Sequence, residues 1–228
     1  MDPLQLREHE IFETLKRLKG LDFVIIGGYA VNAYTLPRFS VDCDVVVEDA
    51  DGADRIGTVL LACGYGKESL AKGSSFANFA RYEKSIGAPF KVSFDLLIGE
   101  VLDRQSKAAI SADWIFRNSR TMVLRGKTIT EKLEARIINL DALFVMKMIS
   151  CRSTDIRDLF MMATAMGDTG WIRAEVSSRY DFGERLKKLV GAITSKKFRD
   201  GLQGVYGFID DKTFQKSVDA IESLGSEG

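Results

Sequence analysis

A chain of 228 residues is long enough for one large domain or two small ones, and 46% hydrophobic and 10% aromatic residues are enough to form a core. Its 32 basic and 32 acidic residues balance, which excludes a bulk attraction to nucleic acid or to an anionic membrane. Cys43, Cys63 and Cys151 lack Cys-x-x-Cys spacing. They therefore argue against a disulfide framework or a thiolate zinc site and suit a reducing compartment, where we expect them to be small buried residues.

The first ten residues contain acids and no apolar run of the signal-peptide kind, so we expect a soluble, cytoplasmic protein that does not cross a membrane. Residues 4–18 repeat apolar side chains at helical spacing, which predicts a leading amphipathic helix. His9 lies on this helix and is the single histidine of the chain. A site built on a pair of histidines is thereby excluded, and His9 is interpreted as a surface residue.

A strand, a glycine turn and a second strand follow. Residues 23–26 are an apolar strand that ends at Gly27 and Gly28, where the backbone can adopt positive φ and a ligand can come close. Residues 41–47 alternate, so Asp42 and Asp44 share a face, about 6.6 Å apart at roughly 3.3 Å per residue. Two such carboxylates suit a hard divalent cation, Mg²⁺ or Mn²⁺. Asp-x-Asp is also typical of the exposed face of an edge strand.

The middle of the chain predicts further strands. Residues 91–98 form the strongest of them, and Asp95 is the lone acid among their apolar side chains. By itself Asp95 is interpreted as facing solvent or capping a loop. Before this strand we predict a polar turn over 49–54, a helix over 53–63, a mobile loop over 64–75 with Lys67 and Lys72, a strand over 76–82 and a turn over 85–89. After it we predict a strand over 121–124, a hairpin turn at 126–127 and a charged connection over 129–138.

The pattern becomes helical from Leu140, with Asn139 as the predicted N-cap, so we place a domain boundary between 1–138 and 139–228. Lys147 falls on an apolar helical face, from which a lysine usually extends its amine to solvent. Asp155 and Asp158 share a face of the next helix, where an N-cap and a first-turn acid are the ordinary interpretations. A basic cluster follows, which could bind a phosphate backbone or be a solvated helix face; it consists of Lys187, Lys188, Lys196, Lys197 and Arg199. A final helix is predicted over 208–224.

The string Gly27-Gly28-x-Ala30, followed by Arg38-x-Ser40-x-Asp42-x-Asp44, resembles the nucleotidyltransferase superfamily, which includes DNA polymerase β, poly(A) polymerases and aminoglycoside nucleotidyltransferases. It is most similar to the AbiEii-type toxin nucleotidyltransferases. That resemblance extends to Lys147 and to Asp155-x-x-Asp158-Leu159 and covers residues 21–159. The chain departs from the pattern in two places, with Gly28 where many members have Ser and Thr154 where the family has Lys.

The resemblance implies an α/β (α+β) fold, with a small mixed sheet, flanking helices and a helical C-terminal domain that closes one side of the cleft. It implies metal-dependent transfer of a nucleoside monophosphate from an NTP to a hydroxyl of tRNA, another RNA or a small molecule. By this resemblance the metal ligands are Asp42, Asp44 and Asp95; the catalytic residues are these three with Lys147 and Asp158; and the residues that contact the nucleotide are Gly27, Gly28, Arg38, Ser40 and Lys147. Asp155 is a further candidate.

Two other functions remain open from the sequence. Gly28 and the missing lysine at Thr154 favour a nucleotide-binding or regulatory module of the same fold that has no turnover. The AbiEii-type resemblance also allows a toxin that is inhibited by a partner antitoxin protein.

Overall fold

The computed structural model describes residues 2–69 and 78–226. The helices are α1 (Pro3–Arg17), α2 (Gly27–Asn32), α3 (Ala50–Ala62), α4 (Ala112–Arg117), α5 (Leu140–Ser150), α6 (Ser153–Met162), α7 (Thr169–Ser177), α8 (Phe182–Ile193), α9 (Lys196–Tyr206) and α10 (Asp211–Ser223). The strands are β1 (Val24–Ile25), β2 (Asp42–Val47), β3 (Gly66–Lys67), β4 (Phe79–Ser85), β5 (Lys91–Ile98), β6 (Glu100–Leu102), β7 (Ala109–Ser111), β8 (Ser119–Arg125) and β9 (Lys132–Ile138). Over the described ranges, each helix is too short or too polar for a membrane crossing.

The chain divides into two compact units. The first comprises Met1–Ala33, Phe39–Val101 and Ile110–Ile138. The second comprises Asn139–Gly228 together with two short segments, Tyr34–Arg38 and Leu102–Ala109. The sheet lies in the first unit, and helices α5 to α10 lie in the second.

A seven-stranded mixed sheet organises the first unit, in the order β3-β4-β5-β2-β1-β9-β8. β2 pairs parallel to β5 and antiparallel to β1, and β1 pairs parallel to β9. The alternation of β2 and β5 buries Cys43, Val45, Phe94 and Leu96 completely on one face of the sheet. The predicted α/β fold with a small mixed sheet and flanking helices is therefore confirmed.

Local polar contacts fix how α1 packs in this unit. Asp2 caps the helix by accepting from the Leu4 amide at 3.1 Å. Glu8 is 3% exposed, and its carboxylate accepts from the amides of Lys127 at 2.5 Å, Thr128 at 2.7 Å and Ile129 at 3.2 Å. These backbone donors compensate for burial of the carboxylate, so the turn between β8 and β9 is attached to α1.

Two sequence predictions in this unit were wrong. Residues 50–54 are the first turns of α3 and not a polar turn, because the Asp49 side chain accepts from the Gly52 amide at 2.8 Å and caps the helix. The charged connection predicted over 129–138 contains strand β9, whose Ile137 pairs with Ile25 near the middle of the sheet. Its alternation was obscured because the outer positions of β9 carry Lys132 and Glu134, which are exposed.

Smaller differences concern the ends of elements. β4 begins at Phe79 and continues to Ser85, so Ser85 belongs to the strand and not to the predicted turn. The predicted loop over 64–75 contains β3, whereas Lys72 and the start of the strand predicted over 76–82 lie outside the described residues. The sequence also gave no indication of β6, β7 and α4.

In the second unit, helix α5 begins at Leu140, the residue from which a helical apolar pattern was predicted. Asn139 is the N-cap residue of α5, as predicted, although its side chain makes no capping hydrogen bond. The final helix α10 starts at Asp211, after the exposed Phe208, because Asp210 caps it. Cys43 and Cys151 are buried as predicted, whereas Cys63 is only half-buried, and all three are free thiols.

Candidate functional site

Three of the predicted acids lie on one face of the sheet. Asp42 and Asp44 are two residues apart on β2, so their side chains point the same way. Asp44 is the direct partner of Asp95 in the parallel pairing of β2 with β5, and Asp42 is the partner of Ser93. Paired residues of neighbouring strands project to the same side at a spacing of about 4.8 Å. The backbone therefore brings the three carboxylates to a common face.

Gly27 stands directly against Asp44. It is the first residue of α2 and has φ of +64°, a conformation that favours glycine. A Cβ atom at this position would overlap Asp44 Oδ2 and would lie 2.8 Å from Asp44 Cγ. The Ile26 amide also donates to the Asp44 carbonyl at 3.0 Å. Because Gly27 has no side chain, the Asp44 carboxylate can occupy the space beside it.

We expect Gly27→Ala to destabilise the protein by about 2–4 kcal/mol, from backbone strain together with displacement of Asp44. Gly20→Ala is the matched control, because Gly20 has φ of +95° but nothing within 4 Å of an added Cβ. The control should cost about 1–2 kcal/mol from backbone strain alone. Urea unfolding of both variants measures the difference, and equal losses would show that contact with Asp44 does not constrain residue 27.

Asp95 is held by an arginine. Arg81 faces Asp95 in the antiparallel pairing of β4 with β5. Its guanidinium donates to both carboxylate oxygens, with Nε to Oδ1 at 2.7 Å and Nη2 to Oδ2 at 2.5 Å. Asp95 is 6% exposed, so the interpretation that it faces solvent was wrong. Hydrogen bonding to Asp95 raises the pKa of Arg81 further above its usual range, and the guanidinium is charged at any pH of interest.

Asp42, Asp44 and Asp95 do not place one carboxylate oxygen each within 4.8 Å of one another. In the part of the chain that the structure describes, the three side chains that meet this spacing are His9, Glu13 and Glu131. Lys16 already donates to both of these glutamates, and all four side chains are more than one-third exposed. His9 therefore belongs to a partly exposed polar cluster that residues of α1 form with Glu131, in keeping with its interpretation as a surface residue.

A second cluster lies in the helical unit around Lys147, which is 6% exposed and does not extend to solvent. Its Nζ donates to Asp155 Oδ1 at 2.9 Å and lies 2.7 Å from Asp158 Oδ2. Asp155 also accepts from the Ser150 hydroxyl at 2.9 Å and the Arg152 amide at 3.1 Å. Asp155 is thus an N3 residue that accepts from the N-cap amide of α6, and not the N-cap itself.

Arg38 completes this cluster. It binds Asp158 through two hydrogen bonds of 2.7 Å, and the Tyr206 hydroxyl donates to the same carboxylate at 3.2 Å. Burial alone would raise the pKa of Asp158, but Lys147 and Arg38 outweigh it and hold that pKa below its usual value. Burial would lower the pKa of Lys147, but Asp158 and Asp155 outweigh it and raise that pKa. Arg38, Lys147 and Asp158 are therefore ionised near neutral pH.

The remaining predicted residues take simpler positions. Gly28 is buried within α2, and Ser40 is half-buried in the segment before β2, where its carbonyl accepts from the Tyr29 hydroxyl at 3.5 Å. Sequence reasoning missed Arg81 and Tyr206. Alternation of β4 opposite β5 could have indicated Arg81, whereas Tyr206 lies 48 residues from its partner Asp158 and left no local pattern.

The chain resembles solved structures over nearly its whole length. One is a proposed nucleotidyltransferase from H. pylori, at a TM-score of 0.54 and 15% identity over 98% of this chain and 95% of that one. Another is JHP933 from Helicobacter pylori, at a TM-score of 0.54 and 15% identity over 98% of this chain and 92% of that one. No family model and no curated protein sequence matches the chain. The architecture of the sheet and its flanking helices is that of the nucleotidyltransferase fold.

Proposed function

We propose that the protein is a metal-dependent nucleotidyltransferase. An acceptor hydroxyl oxygen bonds to the α-phosphorus of an NTP, the bond from that phosphorus to its bridging oxygen breaks, and pyrophosphate leaves. One observation carries the proposal: Asp42, Asp44 and Asp95 share a sheet face, with Asp44 and Asp95 in direct register. The nucleotidyltransferase fold supports it.

The carboxylates suit a hard cation. Asp42 and Asp44 offer oxygen ligands from one face of one strand, and Gly27 leaves the Asp44 carboxylate uncrowded on its side. We propose that these two residues hold Mg²⁺ or Mn²⁺, which when bound would neutralise charge on the triphosphate. Asp95 would accept the proton of the acceptor hydroxyl, since it is a carboxylate on the same face.

The other residues would order the nucleotide. Gly27 and Gly28 allow backbone to approach the phosphates closely, and Ser40 offers a hydroxyl four residues before Asp44. Arg38 and Lys147 were predicted to contact phosphate, but both donate to Asp158. A direct phosphate contact by either cation would compete with that carboxylate. We therefore propose that Asp158 fixes the positions of both cations within the second unit.

The finer predictions rest on the sequence resemblance. They are AbiEii-type membership, tRNA or a small molecule as the acceptor, an antitoxin partner and a cytoplasmic location. One structural observation favours a second function, nucleotide binding without turnover: both oxygens of Asp95 already accept from Arg81, which leaves this carboxylate less available as a base. Calorimetry that shows NTP binding without pyrophosphate release would support that alternative.

The test is a transfer assay with each α-labelled NTP, Mg²⁺ or Mn²⁺, and pooled cellular RNA or a pool of hydroxyl-bearing small molecules. We expect label in one acceptor pool, an equal amount of pyrophosphate, and loss of both products when EDTA removes the cation. Transfer that is insensitive to EDTA would contradict metal dependence. The absence of transfer and of pyrophosphate with every NTP and both pools would contradict the enzyme proposal.

A further inference from the structure

Arg81, Asp95 and Asp44 form one row across three neighbouring strands. Arg81 on β4 is the register partner of Asp95 on β5, which is the register partner of Asp44 on β2. Asp42 lies on the same face, two residues before Asp44. A guanidinium is therefore built into the sheet face that carries the three carboxylates, at one end of their row.

Arg81 opposes the binding of a cation at Asp95. Its guanidinium places a positive charge directly against that carboxylate. Both oxygens of Asp95 accept from Arg81 in a two-pronged contact, the geometry in which arginine binds carboxylate most specifically. A second dication at Asp95 would have to displace Arg81, or else stand beside a fixed positive charge.

We propose that Arg81 is a positioning residue that holds Asp95 in the place of a second cation, so that the resting site takes one divalent cation, at Asp42 and Asp44. This inference rests on the proposed function. The side chain of Arg81 is 36% exposed and that of Asp95 is 8% exposed. Arg81 is therefore the member of the pair that can be displaced by a cation. The guanidinium can move into solvent while the carboxylate stays in place, and a second cation then binds only where Arg81 has left.

The test counts Mn²⁺ ions bound to the whole chain, by calorimetry and by the electron paramagnetic resonance signal of free Mn²⁺. The variants are Arg81→Gln and Arg81→Ala, two neutral side chains of different shape, and Arg81→Lys, which keeps the charge. Arg120→Gln is the matched control, because Arg120 is exposed on β8 of the same sheet and its loss changes the net charge equally. Circular dichroism and thermal unfolding verify the fold of each variant.

We expect one ion per chain in the unmodified protein, in Arg81→Lys and in Arg120→Gln. We expect two ions in the neutral Arg81 variants, with the affinity of the second raised by about tenfold or more. One ion in every variant, or two equivalent ions in the unmodified protein, would overturn the role of Arg81 and leave the proposed function standing. The absence of Mn²⁺ binding in every protein would overturn the metal site and the role of Arg81 together.

Discussion

Replacing Asp42 and Asp44 together by Asn is expected to lower label transfer by about 1,000-fold or more. The two amides keep the shape of the side chains but lose both negative charges, and a neutral amide is a poor ligand for Mg²⁺. Stabilisation of the transferring phosphoryl group by a cation is worth several kcal/mol, and each 1.4 kcal/mol is a factor of ten in rate. The measurement is the initial rate of transfer and pyrophosphate release at saturating NTP and Mg²⁺.

The stability of this double variant separates a lost ligand from a damaged fold. Both side chains are half-buried, and their removal relieves repulsion between like charges, so the free energy of unfolding should stay within about 1 kcal/mol. Asp51→Asn with Asp54→Asn makes the same chemical change at two exposed positions of α3 and should leave the rate unchanged. Transfer that survives the loss of Asp42 and Asp44 would contradict their assignment.

The sheet was predictable where apolar alternation was strong. Residues 91–98 were predicted as a strand with the bounds that β5 has, because the side chains that alternate there are strongly apolar. β9 was missed because exposed Lys132 and Glu134 precede its buried end, although Ile137 pairs with central Ile25. An inner strand of a sheet has a clear apolar pattern only over the residues that are paired with strands on both sides.

The candidate site was predictable in its acids and not in its cations. Alternation places Asp42 and Asp44 on one face of a strand, whereas Asp95 was joined to them only through the sequence resemblance. Arg81 could be assigned to Asp95 only from the register of β4 with β5, which sequence spacing does not determine. Lys147 was recognised as a cation on an apolar face, but its ion pair with Asp158 and the approach of Arg38 from 120 residues away depend on tertiary folding.

Asp158→Asn is expected to destabilise the protein by about 3–5 kcal/mol. Asp158 is completely buried and is shared by Arg38 and Lys147. Removing its charge leaves Lys147 paired with Asp155 and takes from half-buried Arg38 the carboxylate that it binds through two hydrogen bonds. Breaking a buried ion pair from one side costs this much because an uncompensated charge remains in a medium that solvates it poorly. Urea unfolding at neutral pH measures the loss.

A double substitution and a pH series test whether the cost is electrostatic. Adding Lys147→Met to Asp158→Asn removes one of the two cations that lose this carboxylate, so the two losses should fall short of additivity by about 0.5–3 kcal/mol. The pKa of Asp158 is lowered on folding, so its contribution is present above the ordinary aspartate pKa and is lost as pH falls through the folded pKa. The pKa of Lys147 is raised, so its contribution is present below the ordinary lysine pKa and is lost as pH rises through the folded pKa. The stability of the unmodified protein should therefore fall more steeply below about pH 4 than that of Asp158→Asn, and parallel curves together with additive losses would contradict the electrostatic explanation.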